Sequence, residues 1–350
     1  MNQNGLRIRN LFELAQKSDK QTVLNARAEF PLLRVKPKLT VTISSSPEVR
    51  VYSYFAWRRD DAIFNFYGKR DSNRAELENY ESKTVVFQNE SSATKRRMLL
   101  HENPEELSEY GCALESMEEF LDFAVYIQNL FGAPVYTLDI AADQAQHLPR
   151  ILSVEKFRRS EIVKIGGGTL SNEEMRQVLK FPEIVVMRCT AEPDFELQEP
   201  ISMKVFQTKC DHWFKAPMFM QLACKEVHIH SLELQNAQIN AFLHYWMSNT
   251  DRKFEKIVIE KKCREIGRSG EYGNNWEVKK NWEEEKFDML KITEGLTRCE
   301  KPKHLADLEN VQFFRRKIDG MVMNVEVHNN REGMSLCFLQ VLSTGSRCST

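Results

Sequence analysis

The hydrophobic pattern is clearest between Cys224 and Glu260, where it predicts a strand, a helix and a second strand. The first strand follows from the alternation of apolar and polar residues, which passes through Val227 and Ile229 and resumes at Leu232 after a slip of one residue. Asn236 is the expected N-cap, because its short side chain accepts from exposed amides of a first turn. The helix follows from apolar residues at positions i, i+3, i+4 and i+7, which are Ile239, Phe242, Leu243 and Trp246.

The predicted helix requires a surface to cover. Burying its four apolar side chains is worth roughly 1.5–3 kcal/mol each, whereas a short helix is marginal by itself in water. The second strand follows the break at Ser248–Asp251 and contains Phe254, Ile257 and Ile259. We expect it to pair in parallel with the first strand through a right-handed crossover.

Strand and helix patterns also alternate upstream. A helix is predicted near Asn172–Leu179, where Ser171 and Glu174 have the capping-box spacing. Strands are predicted at Val135–Ile140, Ile162–Ile165, Ile184–Met187 and Lys204–Phe206. Apolar strand centres recur about every twenty to thirty residues, at Ile165, Met187, Phe206, Ile229 and Val258. The pattern predicts an α/β fold built on a degenerate leucine-rich-repeat-like stack of strands and helices.

Antiparallel β hairpins are predicted on the N- and C-terminal sides of this stack. Alternation over Leu39–Ile43 is followed by a turn at Ser44–Pro47, and the whole region from Leu39 to Phe87 is expected to be antiparallel. A helix is predicted from Glu115 to the helix-breaking Gly132. The C-terminal strands are expected at Val311–Phe314, Met321–Val327 and Leu336–Val341, with turns at Asp319-Gly320 and Asn329-Asn330.

Composition narrows the class of protein. The 350 residues are 42% apolar and 28% charged, and no window has the uninterrupted apolar length of a membrane span. The N-terminus lacks the apolar core of a secretory signal, so an intracellular protein, cytoplasmic or nuclear, is expected. A formal net charge of −1 gives no overall reason to bind nucleic acid or membranes. None of the eight cysteines forms a CxxC pair, which favours free thiols over a zinc site.

Candidate chemistry in the sequence is weak. Gly166–Gly168 stands between a predicted strand and helix, but it has neither phosphate-loop motif, so a strand-to-helix turn is expected. His228 and His230 share one strand face, with His212 and Cys210 upstream, yet no ligand spacing completes a metal site. No nucleophile, base and orienting group can be assembled. The sequence therefore predicts a protein that is not an enzyme and that uses no metal or cofactor.

Two further groups of residues invite a binding hypothesis. The basic triplets Lys95–Arg97 and Arg315–Lys317 lack interleaved aromatic residues, so solvated faces are expected rather than a nucleic-acid site. Trp276 and Trp282 lie in a charged, loop-rich region. Core burial and a partner surface are both compatible with these tryptophans, since exposed tryptophans often anchor interfaces.

The stretch from Leu234 to Trp246, followed by Phe254–Ile259, resembles the F-box associated domain, type 2, of the large nematode F-box family. In that family an Asn-x-Phe-Leu-x-x-Trp helix lies between two strands. Further similarity occurs at Thr169–Ser171, at Phe287–Met289 and in the Phe314–Gly320 hairpin, so the resemblance covers most of residues 135–341. The family residues carried by the helix are structural, and they are Asn240, Phe242, Leu243 and Trp246.

Members of this family begin with an F-box, a three-helix bundle that docks on a Skp-type adaptor of a cullin ubiquitin ligase. The start of the F-box is similar to a short apolar cluster here, Phe30, Pro31, Leu32 and Leu33, which the resemblance implies as a remnant of the adaptor-binding part. After Val35 the chain continues directly into Lys36-Pro37-Lys38 and the alternating strand pattern, so the F-box is truncated or missing. The Ile8–Ala28 segment is an alternative source of helices.

The resemblance implies three parts. They are an N-terminal segment with the F-box remnant (1–38), antiparallel strands and a helix (39–133), and the F-box associated domain (134–341). The implied function is a non-catalytic protein-interaction module, the substrate-recognition subunit of a Skp-cullin-F-box ubiquitin ligase. Its partners would be a Skp-type adaptor and a protein substrate of unknown identity. The alternative is an F-box-less scaffold or competitor that binds the same targets without ubiquitination.

Overall fold

The structure is a computed structural model that divides into two compact units, residues 1–167 and 168–350. It describes residues 38–52, 62–68, 81–89, 92–102, 108–114, 116–209, 213–230, 234–249, 254–262, 264–266, 276–278, 286–301, 311–329 and 334–342. Both units combine a β-sheet with helices, so the fold is mixed α/β, as predicted. The predicted part boundaries at 38/39 and 133/134 stay predictions.

The first unit is built on a sheet in the order β8-β7-β1-β2-β3-β6-β5-β4. Its strands are β1 (Lys38–Ile43), β2 (Glu48–Tyr52), β3 (Ala62–Gly68), β4 (Glu81–Asn89), β5 (Ser92–Glu102), β6 (Ser108–Leu114), β7 (Val135–Ala141) and β8 (Ile162–Leu170). Strand β1 pairs antiparallel with β2 and parallel with β7, which in turn pairs parallel with β8. The prediction of β1 is confirmed, and its alternating apolar residues Leu39, Val41 and Ile43 are fully buried.

Every strand of Leu39–Phe87 has an antiparallel partner, as predicted, but β1 and β3 each have a parallel partner as well. β1, β2 and β3 do pair antiparallel, but β3 pairs in parallel with β6. The strand around Val85–Phe87, β4, pairs only with β5 among the described residues, and β5 continues to β6. A parallel pair needs a crossover, and local alternation carries no information about which distant strand a segment will join.

Helix α1 (Met117–Phe131) confirms the helix predicted after Glu115. Ser116 is the N-cap and accepts from the Glu119 amide, and Gly132 ends the helix with φ of 59°, which costs little without a Cβ. After β7 come a 3₁₀ turn (Ala142–His147) and two short helices, α2 (Leu148–Ser153) and α3 (Glu155–Arg158).

The sheet of the second unit has the order β15-β16-β17-β12-β11-β10-β9. Its strands are β9 (Ile184–Ala191), β10 (Val205–Thr208), β11 (Glu226–His230), β12 (Lys256–Lys262), β15 (Val311–Arg315), β16 (Val322–Asn329) and β17 (Met334–Leu342). The four strands β9 to β12 are parallel and neighbours in chain order, and β12, β17, β16 and β15 then pair antiparallel. The predicted parallel pairing of β11 with β12 and the C-terminal hairpins are therefore confirmed. The right-handedness of the crossover stays a prediction.

The helices of the second unit are α4 (Asn172–Val178), α5 (Ala216–Phe219), α6 (Asn236–Ser248) and α7 (Met289–Ile292). The predicted capping box is present at α4, where Ser171 accepts from the Glu174 amide and Glu174 accepts from the Ser171 amide. The glycines Gly166–Gly168 were expected to form the turn before this helix, which is wrong. They lie inside β8, where Gly167 and Gly168 have positive φ angles, 80° and 150°, which glycine adopts without the steric cost that other residues incur.

A separate two-stranded sheet pairs β13 (Arg264–Ile266) with β14 (Trp276–Val278). Within the described residues, no helix combines the length and apolar character needed to cross a bilayer.

Candidate interaction surface

Helix α6 begins one residue earlier than Asn236 suggested. Gln235 is the N-cap and forms a reciprocal pair with Gln238, each side chain accepting from the backbone amide of the other. The predicted N-cap role of Asn236 is therefore wrong, because its side-chain oxygen has another partner. It accepts from the backbone N of Asp288 at 2.9 Å.

The apolar side of α6 is buried as predicted. Ile239, Phe242, Leu243 and Trp246 are all 1% exposed or less. The Phe242 ring lies between two aromatic rings, with centroids 4.6 Å from Phe219 and 5.4 Å from Phe254, and Phe254 also contacts Trp246 at 5.8 Å. These rings bury large area in tilted contacts. The helix is thereby held against the strand that follows it.

The polar side of α6 binds the segment Lys286–Gly295. Asn240 Nδ2 donates to the carbonyl oxygens of Ile292 and Glu294, at 2.9 Å each. One helix turn further on, His244 Nε2 lies 3.0 Å from the same Glu294 oxygen. A Cβ on Gly295 would stand 3.3 Å from His244 Cε1, and φ of 73° there also favours glycine. Asn240 therefore satisfies carbonyl groups that would otherwise lack partners beside the helix.

Arg316 joins the C-terminal end of α6 to the β15–β16 turn. It is 1% exposed, and its Cζ lies 4.4 Å above the Trp246 ring. Its Nη1 donates to the carbonyl oxygens of Asn249 at 2.7 Å and Trp246 at 3.4 Å, which are among the unsatisfied groups of a helix end. Asp319 completes a two-pronged pair with the guanidinium, and Arg316 holds the pKa of that carboxyl below its usual range.

The prediction that Arg315–Lys317 is a solvated face is wrong for Arg316. Arg315 and Lys317 on either side are exposed, as predicted. The difference comes from alternation in the hairpin, which turns only the middle residue towards α6.

The segment Lys286–Glu294 and α6 lie on one face of the second unit's sheet, here called the helix face. Phe287 N donates to Ser335 Oγ at 2.9 Å, and Thr293 Oγ1 donates to Gln312 Oε1 at 3.0 Å. Strand register gives the rest of this face as buried residues, namely Phe206, Val227, Ile229, Ile257, Ile259, Cys337 and Leu339. This face forms the core of the unit.

The opposite face, here called the open face, carries partly exposed residues, although register also places the buried Val186, Phe313 and Asn324 on it. Its central row runs across five strands through register partners, in the order Gln207, His228, Val258, Phe338 and Glu326. All five are half-buried. On one side of the row Glu226 is opposite Lys256, and on the other His230 Nε2 lies 3.2 Å from Glu260 Oε2. The row is thus neutral and partly apolar at its middle, with charged residues along both sides.

The two histidines considered for a metal site lie on this open face. His228 is half-buried, and burial together with the nearby Lys256 charge lowers its pKa, so its ring is neutral at pH 7. His230 is paired with Glu260. Among the described residues, no group of three or more His, Cys, Asp or Glu side chains could hold a metal ion. Cys210 and His212 lie outside the described residues.

The other predicted residues divide into two groups. The adaptor-binding remnant Phe30, Pro31, Leu32 and Leu33, together with Lys95–Arg97 and Trp282, falls where the structure describes no side chain; the same holds for the Trp276 side chain. The family residues Asn240, Phe242, Leu243 and Trp246 are brought together on α6. Sequence reasoning did not single out Phe338 or Glu326, which only strand register places in one row with His228.

A cleft of about 460 Å³ lies at the other end of the helix face, lined in part by Lys286–Leu290 and Val311. Leu290 is 70% exposed beside it. Several polar groups of the lining are already bonded: Asp288 Oδ1 accepts from Leu290 N, Gln312 accepts from Thr293, and Asn329 donates to Phe287 O. The open face therefore offers more unused hydrogen-bonding capacity than the cleft. No family model, curated protein or solved structure matches this chain.

Proposed function

We propose that this chain is a non-catalytic protein-interaction module of the F-box associated kind, which recruits a protein substrate to a Skp-cullin-F-box ubiquitin ligase. The proposal takes the compartment to be intracellular, cytoplasmic or nuclear. One observation carries it. Each residue of the Asn240-x-Phe242-Leu243-x-x-Trp246 pattern has a separate physical role, so the pattern is accounted for residue by residue rather than by resemblance alone.

Those roles depend on residue type. Asn240 donates two hydrogen bonds to backbone carbonyls through one amide nitrogen, which aspartate or leucine cannot do. Trp246 supplies the aromatic face on which Arg316 lies. A helix fixed in this way on a sheet is a rigid support for a binding face.

We also propose that β9–β12 form a degenerate leucine-rich-repeat-like stack. The support is that these four parallel strands are neighbours in chain order, as in a solenoid where each repeat adds one strand beside the last. The helix between β11 and β12 is long, whereas α5 before β11 has only four residues. We call the stack degenerate because the helices that connect its strands differ in length.

The absence of catalysis is part of the proposal, and the described thiols support it. Cys189, Cys224 and Cys337 are buried, and burial raises the pKa of the Cys224 thiol to about 12. A thiol of that pKa is neutral at pH 7 and a poor nucleophile.

A second candidate function has its own supporting observation. Strand β1 begins at Lys38 and is a central, parallel partner of β7, so only residues 35–37 separate it from the Phe30–Arg34 cluster. Three residues cannot form the helices of a bundle. This favours an F-box-less scaffold or competitor that binds the targets of the ligase without delivering them for ubiquitination.

A pull-down with purified Skp-type adaptor distinguishes the two functions. A substrate-recognition subunit retains the adaptor, and Leu32→Asp with Leu33→Asp abolishes retention. The scaffold retains none, whereas a chimera with an intact F-box inserted between Arg34 and Lys38 does. In cells, overexpression of the chain shortens the half-life of a bound protein if the chain is a ligase subunit and lengthens it if the chain is a competitor.

A further inference from the structure

We propose that the open face binds an extended peptide segment of the partner protein, lying across the strands along the central row, with a hydrogen-bonding residue first, an apolar residue next and a basic residue last. This inference rests on the proposed interaction function and assigns the binding site and the chemistry of the bound segment. Each residue type in the bound segment is the one that complements one part of the row.

Gln207 and His228 form the hydrogen-bonding end. They are register partners on β10 and β11, and both are half-buried. Within the described part of the chain neither side chain forms a hydrogen bond. Gln207 offers two N–H donors and a carbonyl, and the neutral His228 ring offers one donor and one acceptor. Half-buried polar groups without protein partners are satisfied by solvent, which a partner's backbone or amide side chain can replace.

Val258 and Phe338 form the apolar middle. They are register partners on β12 and β17, and Val258 is also the register partner of His228. Both remain partly exposed, whereas most residues that the same strands place on the helix face are buried, among them Ile257, Ile259, Cys337 and Leu339. The Phe338 ring contacts the His328 ring nearly at a right angle, with centroids 5.6 Å apart. An apolar side chain laid on these two residues removes apolar surface from water on both partners.

Glu326 forms the acidic end. It is the register partner of Phe338 on β16, and its side chain is 26% exposed while it pairs with His328. A carboxylate bordering an apolar surface favours an arginine or lysine on the partner, since Arg and Lys combine an apolar stem with a cationic head. The same carboxylate disfavours phosphate groups, which argues against nucleic acid as the occupant.

The dimensions of the row fit a peptide. It crosses five strands, β10, β11, β12, β17 and β16, and therefore spans four strand spacings. At about 4.8 Å per spacing the row is about 19 Å long, which is the length of roughly six extended residues. These strands are paired on both edges, so the segment binds through side chains above the sheet rather than by adding a strand.

Selection from a phage-displayed library of random twelve-residue peptides, with the full chain as target, tests the proposal. The enriched sequences are expected to share the polar, apolar, basic order. A synthetic consensus peptide should bind at least tenfold more weakly to Phe338→Asp than to wild type, by fluorescence anisotropy. Leu290→Asp, which changes an exposed leucine on the other face, should leave its Kd unchanged.

If Phe338→Asp unfolds the protein, Glu326→Gln serves as the second variant, because it keeps the shape of the face. It should weaken the consensus peptide severalfold and remove the preference for a basic final residue. The proposal is overturned if no sequence family is enriched, or if the consensus peptide binds the Glu326→Gln and Phe338→Asp variants as tightly as wild type. In the second case the chain still binds peptides, so the interaction function survives and only the site is wrong; the adaptor and half-life experiments judge the function separately.

Discussion

The two faces of the second unit's sheet differ in how strictly the fold determines their residues. On the helix face, Trp246, Arg316 and Asn240 each have several partners, and nearly every position is buried. On the open face, Gln207 and Phe338 keep part of their surface in water. Residues of the helix face are therefore explained by stability. The partly exposed residues of the open face have fewer partners, which leaves them available for the binding that we propose.

The largest effect on stability is expected from Trp246→Ala. Removing a fully buried tryptophan leaves a cavity and also strips Arg316 of the ring it covers. We expect a loss of about 3–5 kcal/mol in the free energy of unfolding, measured by urea denaturation. Tyr245→Ala, at the partly exposed neighbouring position, should cost under about 1 kcal/mol. Equal losses would contradict the burial of the helix.

Arg316→Ala should have the next largest effect on stability. The substitution removes the guanidinium from the Trp246 ring together with its hydrogen bonds to helix-end carbonyls, so a cost of about 1.5–3 kcal/mol is expected. Lys317→Ala changes the same net charge at an exposed position and should be nearly neutral. Thermal denaturation of the two variants at equal ionic strength gives the comparison. A neutral Arg316→Ala would refute the assignment of this residue to the helix face.

Asn240→Ala tests the link between α6 and the segment Lys286–Gly295. Two hydrogen bonds to backbone carbonyls are lost, so a cost of about 1–3 kcal/mol is expected. Amide hydrogen exchange should accelerate in that segment while β11 stays protected. Ser248→Ala, which removes only a local bond to His244 O, is the control. Uniform acceleration over both regions would mean that Asn240 acts on global stability alone.

A pair of glycines sharpens the same comparison. Gly295 and Gly320 both have positive φ, 73° and 76°, but only Gly295 has a side chain near its missing Cβ. Alanine at either position should cost about 1 kcal/mol from backbone strain, and Gly295→Ala should cost a further fraction from crowding against His244. Adding His244→Ala should recover that fraction. If the two alanine variants are identical in every background, the contact with His244 has no energetic role.

The smallest effect is the pH dependence contributed by Asp319. The hydrogen bond from Arg316 lowers its pKa below the ordinary value of 3.8 in the folded state. Its contribution to stability is therefore fully present above that ordinary value and is lost as pH falls through the lower folded value. The difference in unfolding free energy between wild type and Asp319→Asn should shrink between pH 5 and pH 2. A constant difference would show that ionisation of Asp319 is not coupled to folding.

The sequence predicted best those features that depend on near neighbours. The apolar face of α6, the Ser171–Glu174 capping box and the Asp319-Gly320 turn each follow from spacing within a few residues. The predicted N-cap of α6 was wrong because the Asn236 side-chain oxygen accepts from the Asp288 amide, fifty-two residues away in sequence. The burial of Arg316 was not predicted for the same reason, since the Trp246 ring that it covers is seventy residues away in sequence.

The sequence did not predict the proposed binding face either. His228 was noticed, but only as a possible metal ligand. Its register partners are Gln207 and Val258, with Phe338 next to Val258, and this register depends on the order of strands in the sheet. Parallel pairing of β3 with β6 was missed likewise. Alternation gives the face on which a residue lies within its own strand, and pairing decides what lies beside it.

Hydroxyl-radical footprinting of the intact protein tests the central claim, that one sheet face is closed by α6 and the other is open to a partner. Phe338 and His228 should be oxidised readily, whereas Trp246 and Phe242 should resist oxidation despite the high intrinsic reactivity of tryptophan. Oxidation of Trp246 at a rate equal to that of Phe338 in the folded protein would contradict the account.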